Sequence, residues 1–265
     1  MKKPALQIMG ILNITPDSFF DGNRYVTEKS VIDRAAQILD EGGEIIDIGA
    51  FSSRPGAALV SEEEERKRLM PFLEKIVKEF PDATISIDTY RSTIAKEAVE
   101  KGAKIINDIS AGELDKNMFQ TIASLKVPYI MMHMAGTPQN MQDNPIYKDV
   151  VNDIMVYFLK KIDKLKKYGV DEVILDPGFG FGKTLEHNYE ILKRLDEFTL
   201  LNKPLLIGIS RKSMLYKSLG GTPADMGNAT SIANTVAALK GAQILRVHDV
   251  KEAVEIKKII QNIFP

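Results

Sequence analysis

Eight short apolar runs in this sequence are each followed by a side chain that can hydrogen-bond, carry charge or bind a cation. In chain order these are Asn13, Asp47, Asp88, the pair Asn107-Asp108, His133, Asp176, the triplet Ser210-Arg211-Lys212, and Arg246 with His248 two residues on. One Asx residue after a strand makes a turn or caps a helix. A polar group at the same place in every unit describes a rim, and a rim of mixed charge describes a pocket. Asp88, Asn107 and Asp176 form its acceptor half. A carboxylate takes two parallel N–H bonds in a fork, so this half suits a planar heterocycle bearing amino groups. Arg54, Lys212, Arg246 and His248 form a cationic half suited to an anion such as pyrophosphate. Arg246 and His248, one residue apart, leave their strand on the same side.

The most distinctive stretch is Asp176-Pro177-Gly178-Phe179-Gly180-Phe181-Gly182-Lys183. A carboxylate ends an apolar strand, and the glycines after it permit positive φ and close approach by a ligand. The pattern imitates a phosphate loop but leaves three residues between Gly178 and Gly182, where that motif requires four. The spacing therefore excludes the phosphate-loop reading and points to an acid presented at a strand end.

The elements that position these residues follow from periodicity. Apolar runs at 6–12, 45–48, 84–87, 104–106, 128–132, 173–175, 204–209 and 243–246 predict strands. Segments at 30–41, 62–80, 91–101, 116–125, 150–168, 185–198, 211–240 and 250–263 have helical spacing. Eight strand–helix units in 265 residues predict a single-domain (β/α)8 TIM barrel over 1–265, of the α/β class, with its active site at the C-terminal ends of the strands. Unalternating apolar strands suit a parallel sheet covered on both faces. An open doubly wound sheet would serve about six strands better than eight. The longest connections, 15–29, 49–60 and 134–149, all lie on the strand-to-helix side, where barrels place their sites.

Composition narrows the function. Basic and acidic side chains number 35 and 36, which gives no support for a general polyanion-binding surface but leaves a local basic site open; no nucleic-acid partner is expected. Cysteine is absent, excluding disulfides, thiolate catalysis and Cys-ligated metals; a cytoplasmic location is the expectation. The N-terminal Met1-Lys2-Lys3 and its apolar run lead into Asn13-Ile14-Thr15-Pro16-Asp17 without a small-residue cleavage site, so no secretion signal is read. No apolar run approaches the roughly 18 residues of a membrane helix, so no membrane partner is expected.

Gly10-Ile11-Leu12-Asn13-Ile14-Thr15-Pro16-Asp17-Ser18-Phe19, followed by Asp21-Gly22, resembles the first signature of the dihydropteroate synthase family. Asp47-Ile48-Gly49 with Ser53-Arg54-Pro55-Gly56 resembles its second. Ser86-Ile87-Asp88-Thr89, Asn107-Asp108-Ile109, Met132-His133, the Asp176–Lys183 stretch, Ser210-Arg211-Lys212 and Arg246-Val247-His248-Asp249 follow in the family's order. One departure is Ala50-Phe51-Ser52-Ser53, where the family usually has Gly-Glu-Ser-Thr. The resemblance implies condensation of p-aminobenzoate with 6-hydroxymethyl-7,8-dihydropterin pyrophosphate, with Mg2+ assisting an SN1-like departure of pyrophosphate in folate biosynthesis. It implies that Asp88, Asn107, Ile109, Met132, Asp176, Lys212 and Arg246 bind the pterin. By the same resemblance Ser53, Pro55, Phe181 and Ser213 would line the p-aminobenzoate slot, where sulfonamides would compete. It further implies that Asn13, Arg54, Arg246 and His248 hold the pyrophosphate, that Asn13 is the metal ligand, and that Asp17, Arg54, Lys212, Arg246 and His248 form the catalytic set. A homodimer is the expected assembly.

Three other functions fit parts of the pattern. A methyltetrahydrofolate:corrinoid methyltransferase-type barrel shares strand-end Asp and Asn residues but should lack the Arg54 loop, Lys212 and the Arg246/His248 pair. A Schiff-base aldolase could use a buried Lys212. A non-catalytic pterin binder needs no double lid of loops. Individual residues also have plain readings. Asn13 alone would be a turn residue, and Asp47 is read as structural, a cap for the next helix, whereas Asp88 is read as a ligand. Asp108 orients the rim, His133 is either a packed strand end or a contact, and Lys183 faces solvent or supports its loop. Met131, Met132 and Met134 are core, with Met132 a candidate floor of the pocket. Residues 62–65 are a solvated helix start and 160–167 an exposed helix face.

Overall fold

The computed structural model describes residues 6–14, 27–51, 60–141 and 145–264. Eight parallel strands alternate with helices: β1 (Gln7–Asn13), β2 (Ile45–Gly49), β3 (Thr84–Asp88), β4 (Ile105–Asp108), β5 (Tyr129–Met132), β6 (Val173–Asp176), β7 (Leu206–Ile207) and β8 (Ile244–Val247). Their order is β6-β5-β4-β3-β2-β1-β8-β7, and an isolated bridge between Leu175 and Leu205 joins the two ends into a ring. This is the (β/α)8 barrel that the unit count predicts. Strand seven is shorter than its apolar run: Pro204 has no N–H to give, and its carbonyl instead accepts from Leu175 N–H at 2.8 Å.

Helices α1 (Glu28–Asp40), α2 (Glu62–Glu79), α3 (Ser92–Glu100), α4 (Met118–Leu125), α5 (Val150–Lys166), α6 (Leu185–Lys193), α7 (Ser213–Leu219), α8 (Gly227–Leu239) and α9 (Val250–Ile263) surround the ring. Several begin on a side-chain cap. Thr27 and Ser30 form a capping box, as do Thr184 and His187; Ser61 accepts from Glu64 N–H; Asp149 accepts from Val151 and Asn152 N–H. The helix expected over 211–240 is instead α7, a 3-10 turn (Pro223–Met226) and α8. Gly220 and Gly221, both at positive φ, together with Pro223 break it.

The barrel interior changes character along its axis. At the N-terminal end, Met9, Ile45, Ile105, Ile130, Ile174, Leu206 and Ile244 form a separate apolar cluster that fills the ring. Because strand side chains alternate, residues two further along face the same lumen. On four of these strands that step reaches Asp47, Asn107, Asp176 and Arg246. The lumen is thus plugged with hydrocarbon below and lined with polar groups above.

Candidate active site in the barrel lumen

Asp47 is fully buried, not a helix cap. Its Oδ2 accepts from Arg246 Nε at 2.6 Å and from Asn107 Nδ2 at 3.1 Å. The same guanidinium donates through Nη2 to Asp88 Oδ2 at 2.9 Å. Burial pushes the Asp88 carboxyl up to about 7; Arg246 opposes the shift and Asp47 adds to it. Desolvation would lower Arg246, but Asp47 and Asp88 hold it above its ordinary range. Asp47 Oδ1, Asp88 Oδ1 and Ser86 Oγ are buried without partners. All three belong to alternate positions on β2 and β3, and Asp47 pairs with Ser86 in register. Such atoms are costly unless a ligand or water meets them, so this wall is built to receive hydrogen-bond donors.

Across the lumen, Asp176 closes β6. Its Oδ1 accepts from Gly178 N–H at 2.8 Å, and burial raises its pKa while Lys212 opposes the rise. The glycine that follows is sterically required. Gly178 has φ +72°, and a Cβ there would stand 2.0 Å from the His133 carbonyl oxygen. Lys212 Nζ donates to the Phe179 carbonyl and lies 4.7 Å from the Phe181 ring centroid. Burial lowers the Lys212 pKa to about 8. The preceding residue points elsewhere: Arg211 holds Asp249 in a two-pronged pair at 3.0 and 2.7 Å. Gly208 leaves room beside these groups, since a Cβ there would lie 3.9 Å from Lys212 Nζ and 4.0 Å from Arg246 Cβ. Met132 and Ile109 are buried, and Ser213 begins α7 next to Lys212.

His248 is a neutral group here, not a cation. Burial, then the nearby Arg246, lowers its pKa to about 4. Ser210 Oγ accepts the His248 backbone N–H at 3.2 Å and lies 2.9 Å from Nδ1. When the hydroxyl proton serves Nδ1, Nε2 carries the ring N–H. His133 is likewise depressed, to about 2, by burial and by Lys183. Both rings are expected to keep constant carbon-bound proton shifts in NMR spectra between pH 5 and 8. The unfolded chain takes up these protons first, so their contribution to stability is complete above their ordinary pKa and, for His248, is lost as pH falls toward 4. A titration midpoint near 6.5 for either ring would overturn the assignment.

Asn13 ends β1 at the mouth. A Cβ on Gly49 would sit 3.7 Å from both Asn13 Oδ1 and Asp88 Oδ2, so the amide oxygen stands beside a space that glycine keeps open. A hard oxygen donor at an open rim fits Mg2+, which accepts one or two protein oxygens and keeps water and phosphate as its other ligands. Among the described residues no group of three His, Cys, Asp or Glu side chains could hold a metal. Asp17, Ser53, Arg54 and Pro55 lie outside the described residues.

The structure corrects Asp47, read as a helix cap, and His248, read among the cations, and decides between the two readings of Lys183. Lys183 is 3 % exposed, which excludes solvent exposure and leaves loop support; burial lowers its pKa well below the usual lysine value. Asp47 was legible only as the acid of a strand end. Its position two residues before Gly49, on the inward parity of β2, was the available signal.

Fold and site together define a (β/α)8 barrel that gathers buried polar side chains in its lumen toward the C-terminal strand ends. The pterin binding enzyme family matches residues 9–248. Dihydropteroate synthase of Escherichia coli (strain K12) is 42% identical over 256 residues, covering 96% of this chain and 90% of that protein. The Yersinia pestis dihydropteroate synthase, in a complex with a sulfonamide drug, superposes with a TM-score of 0.93 at 41% identity over 98% of this chain and 94% of that one. The Xanthomonas albilineans enzyme with 4-aminobenzoic acid does so with a TM-score of 0.90 at 35% identity, over 98% and 93%. The chain belongs to the pterin-binding enzymes, and among them to the dihydropteroate synthase family. Among the described residues no helix is long and apolar enough to cross a membrane.

Proposed function

We propose that this chain joins p-aminobenzoate to 6-hydroxymethyl-7,8-dihydropterin pyrophosphate, giving 7,8-dihydropteroate and pyrophosphate. The observation that carries the reading is the arrangement of the lumen: unpartnered buried acceptors on Asp47, Ser86 and Asp88 face inward, Arg246 stands among them, and Phe181 lies under Lys212. Asp88, Asn107 and Asp176 read the amino and ring N–H groups of the pterin, with Lys212 donating to its oxygen or ring nitrogen and Ile109 and Met132 packing on it. Arg246 covers the heterocycle and, with neutral His248 donating from Nε2, Asn13 and Arg54, receives the pyrophosphate. Phe181, Ser213, Ser53 and Pro55 enclose the p-aminobenzoate ring. The 4-aminobenzoic acid of the Xanthomonas structure and the sulfonamide of the Yersinia structure support that ligand class here.

The chemistry requires little from any single base. The C–O bond to pyrophosphate breaks with its electron pair leaving on oxygen, and the electron-rich dihydropterin stabilises the methylene cation that remains. The aniline nitrogen, neutral near pH 7, forms the new C–N bond and then releases a proton. Asn13 would hold Mg2+ together with the substrate, and the ion would supply positive charge to the leaving group. The chain's own contribution is to orient both substrates, to neutralise the pyrophosphate through Arg246 and Arg54, and to exclude water. Asp17 either orders its loop or steadies the cation. The enzyme is read as one catalytic domain acting in the cytoplasm as a homodimer; the exposed Ile232 and Leu239 on α8 and Ile259 on α9 support self-association.

Purified protein given both substrates and Mg2+ is expected to release pyrophosphate and form dihydropteroate. A sulfonamide is expected to compete with p-aminobenzoate. Absence of release in a preparation that binds the pterin would overturn the reading.

A further inference from the structure

The glycine stretch ends in a lysine that the proposed chemistry does not use. Lys183 is buried, and its amino group meets three acceptors: the Phe181 carbonyl at 2.9 Å, His133 Nδ1 at 3.1 Å and the His133 carbonyl at 3.3 Å. Burying an amino group is costly unless its hydrogen bonds are made, so a lysine here has a local purpose. These partners belong to two different walls of the site. His133 follows β5 directly after Met132, and Phe181 is the ring beneath Lys212. We propose that Lys183 is a positioning residue for the p-aminobenzoate slot: its amino group ties the main chain at Phe181 to the end of β5 and so fixes where the Phe181 ring stands.

The surrounding contacts make this tie specific. Gly178 already rests against the His133 carbonyl, which brings the loop to the distance that Lys183 spans. Tyr147 Oη donates to the Gly182 carbonyl at 2.7 Å, and Asn188 Oδ1 accepts from Gly180 N–H at 2.7 Å, so the loop's neighbouring peptides are anchored elsewhere. The Phe181 carbonyl is the peptide that Lys183 holds. On the other side of the ring, Lys212 Nζ fixes Phe179. One lysine sets the ring's face, and the other sets its main chain. The tie is indifferent to protonation: an ammonium donates to all three acceptors, whereas a neutral amine donates to two and accepts from a His133 Nδ1–H. The Asp176 carboxylate accepts from Gly178 N–H, while Lys183 reaches it only through charge. The three hydrogen bonds of the tie go to Phe181 and His133.

The inference rests on the proposed reading of the Phe181 slot. Lys183→Met keeps length and suits burial but makes none of the three bonds. Relative to wild type, its KM for p-aminobenzoate is expected to rise about tenfold, as for loss of a buried hydrogen-bond site. The inhibition constant of a sulfonamide should rise with it. Affinity for the pterin pyrophosphate, measured by calorimetry without p-aminobenzoate, should stay within about twofold, and kcat within about threefold. An unchanged KM, or a pterin affinity that weakens by the same factor, overturns the proposal. Deuterium uptake of the 178–183 peptide gives a readout independent of activity: faster uptake in the variant supports the tie, and unchanged uptake overturns it. If wild type released no pyrophosphate, the functional reading would fail while the tie is still judged by uptake. Lys183→Gln serves if the methionine variant does not fold, and failure of both to fold overturns a positioning role in favour of a structural one.

Discussion

Replacing Arg246 with methionine is expected to lower pyrophosphate release by at least about a thousandfold and to destabilise the protein by about 3–5 kcal/mol. Both effects have one origin. The guanidinium answers Asp47 at 2.6 Å and Asp88 at 2.9 Å, and the other oxygen of each carboxylate is already without a partner. Removing the cation leaves two acids buried side by side with Asn107 as their only remaining donor among these contacts. Steady-state kinetics and denaturant unfolding separate the two consequences. Adding Asp47→Asn to Arg246→Met removes one orphaned charge, so part of the stability should return, but not turnover. If the double variant were as unstable as the single one, uncompensated charge would not be the cause.

Gly178→Ala is expected to cost about 3 kcal/mol or more, a backbone effect out of proportion to one methyl group. At φ +72° an alanine is strained wherever it is placed. Here its Cβ would also lie 2.0 Å from the His133 carbonyl oxygen, a main-chain atom at the end of β5 that cannot swing aside as a side chain does. The loop must lift, and the Gly178 N–H leaves the Asp176 carboxylate. Pterin affinity should fall with stability. Gly180→Ala is the control: its φ is +82°, but the nearest atom to a new Cβ is Lys212 Cδ at 3.5 Å. Strain alone then applies, at about 1–2 kcal/mol. Equal losses in the two variants, read from urea midpoints, would place the whole effect in the dihedral angle and none in the contact.

The eight strands and the rim were legible because both depend on local rules. Apolar runs mark strands buried on two faces, and the side-chain period of two carries Arg246 and His248 to one side. Boundaries were less legible where the ring itself decides them. Strand seven shrinks to Leu206–Ile207, and the helix read across 211–240 divides at Gly220-Gly221 and Pro223, a break signalled in the sequence and read through. Partnerships were not legible at all. That Asp47 shares one oxygen between Arg246 and Asn107, 199 and 60 residues away, is a product of ring closure. The same holds for Lys183, whose burial depends on His133, 50 residues earlier in the chain. Charge suggests an exposed lysine until the neighbouring strand supplies acceptors. His248 was read among the cations for the same reason: its type was visible, its desolvation was not.

The ring has one thin joint. Five residue pairs join β1 to β2 and two join β7 to β8, but a single bridge at Leu175–Leu205 links β6 to β7. Asp176, the last residue of β6, stands on one bank of that joint and Lys212, beyond the end of β7, on the other. A heterocycle grasped by both would work as a keystone, adding across the narrowest part of the arch the rung that the backbone omits. Occupancy and integrity of the barrel would then be linked: a ligand held from both banks would complete the wall that confines it.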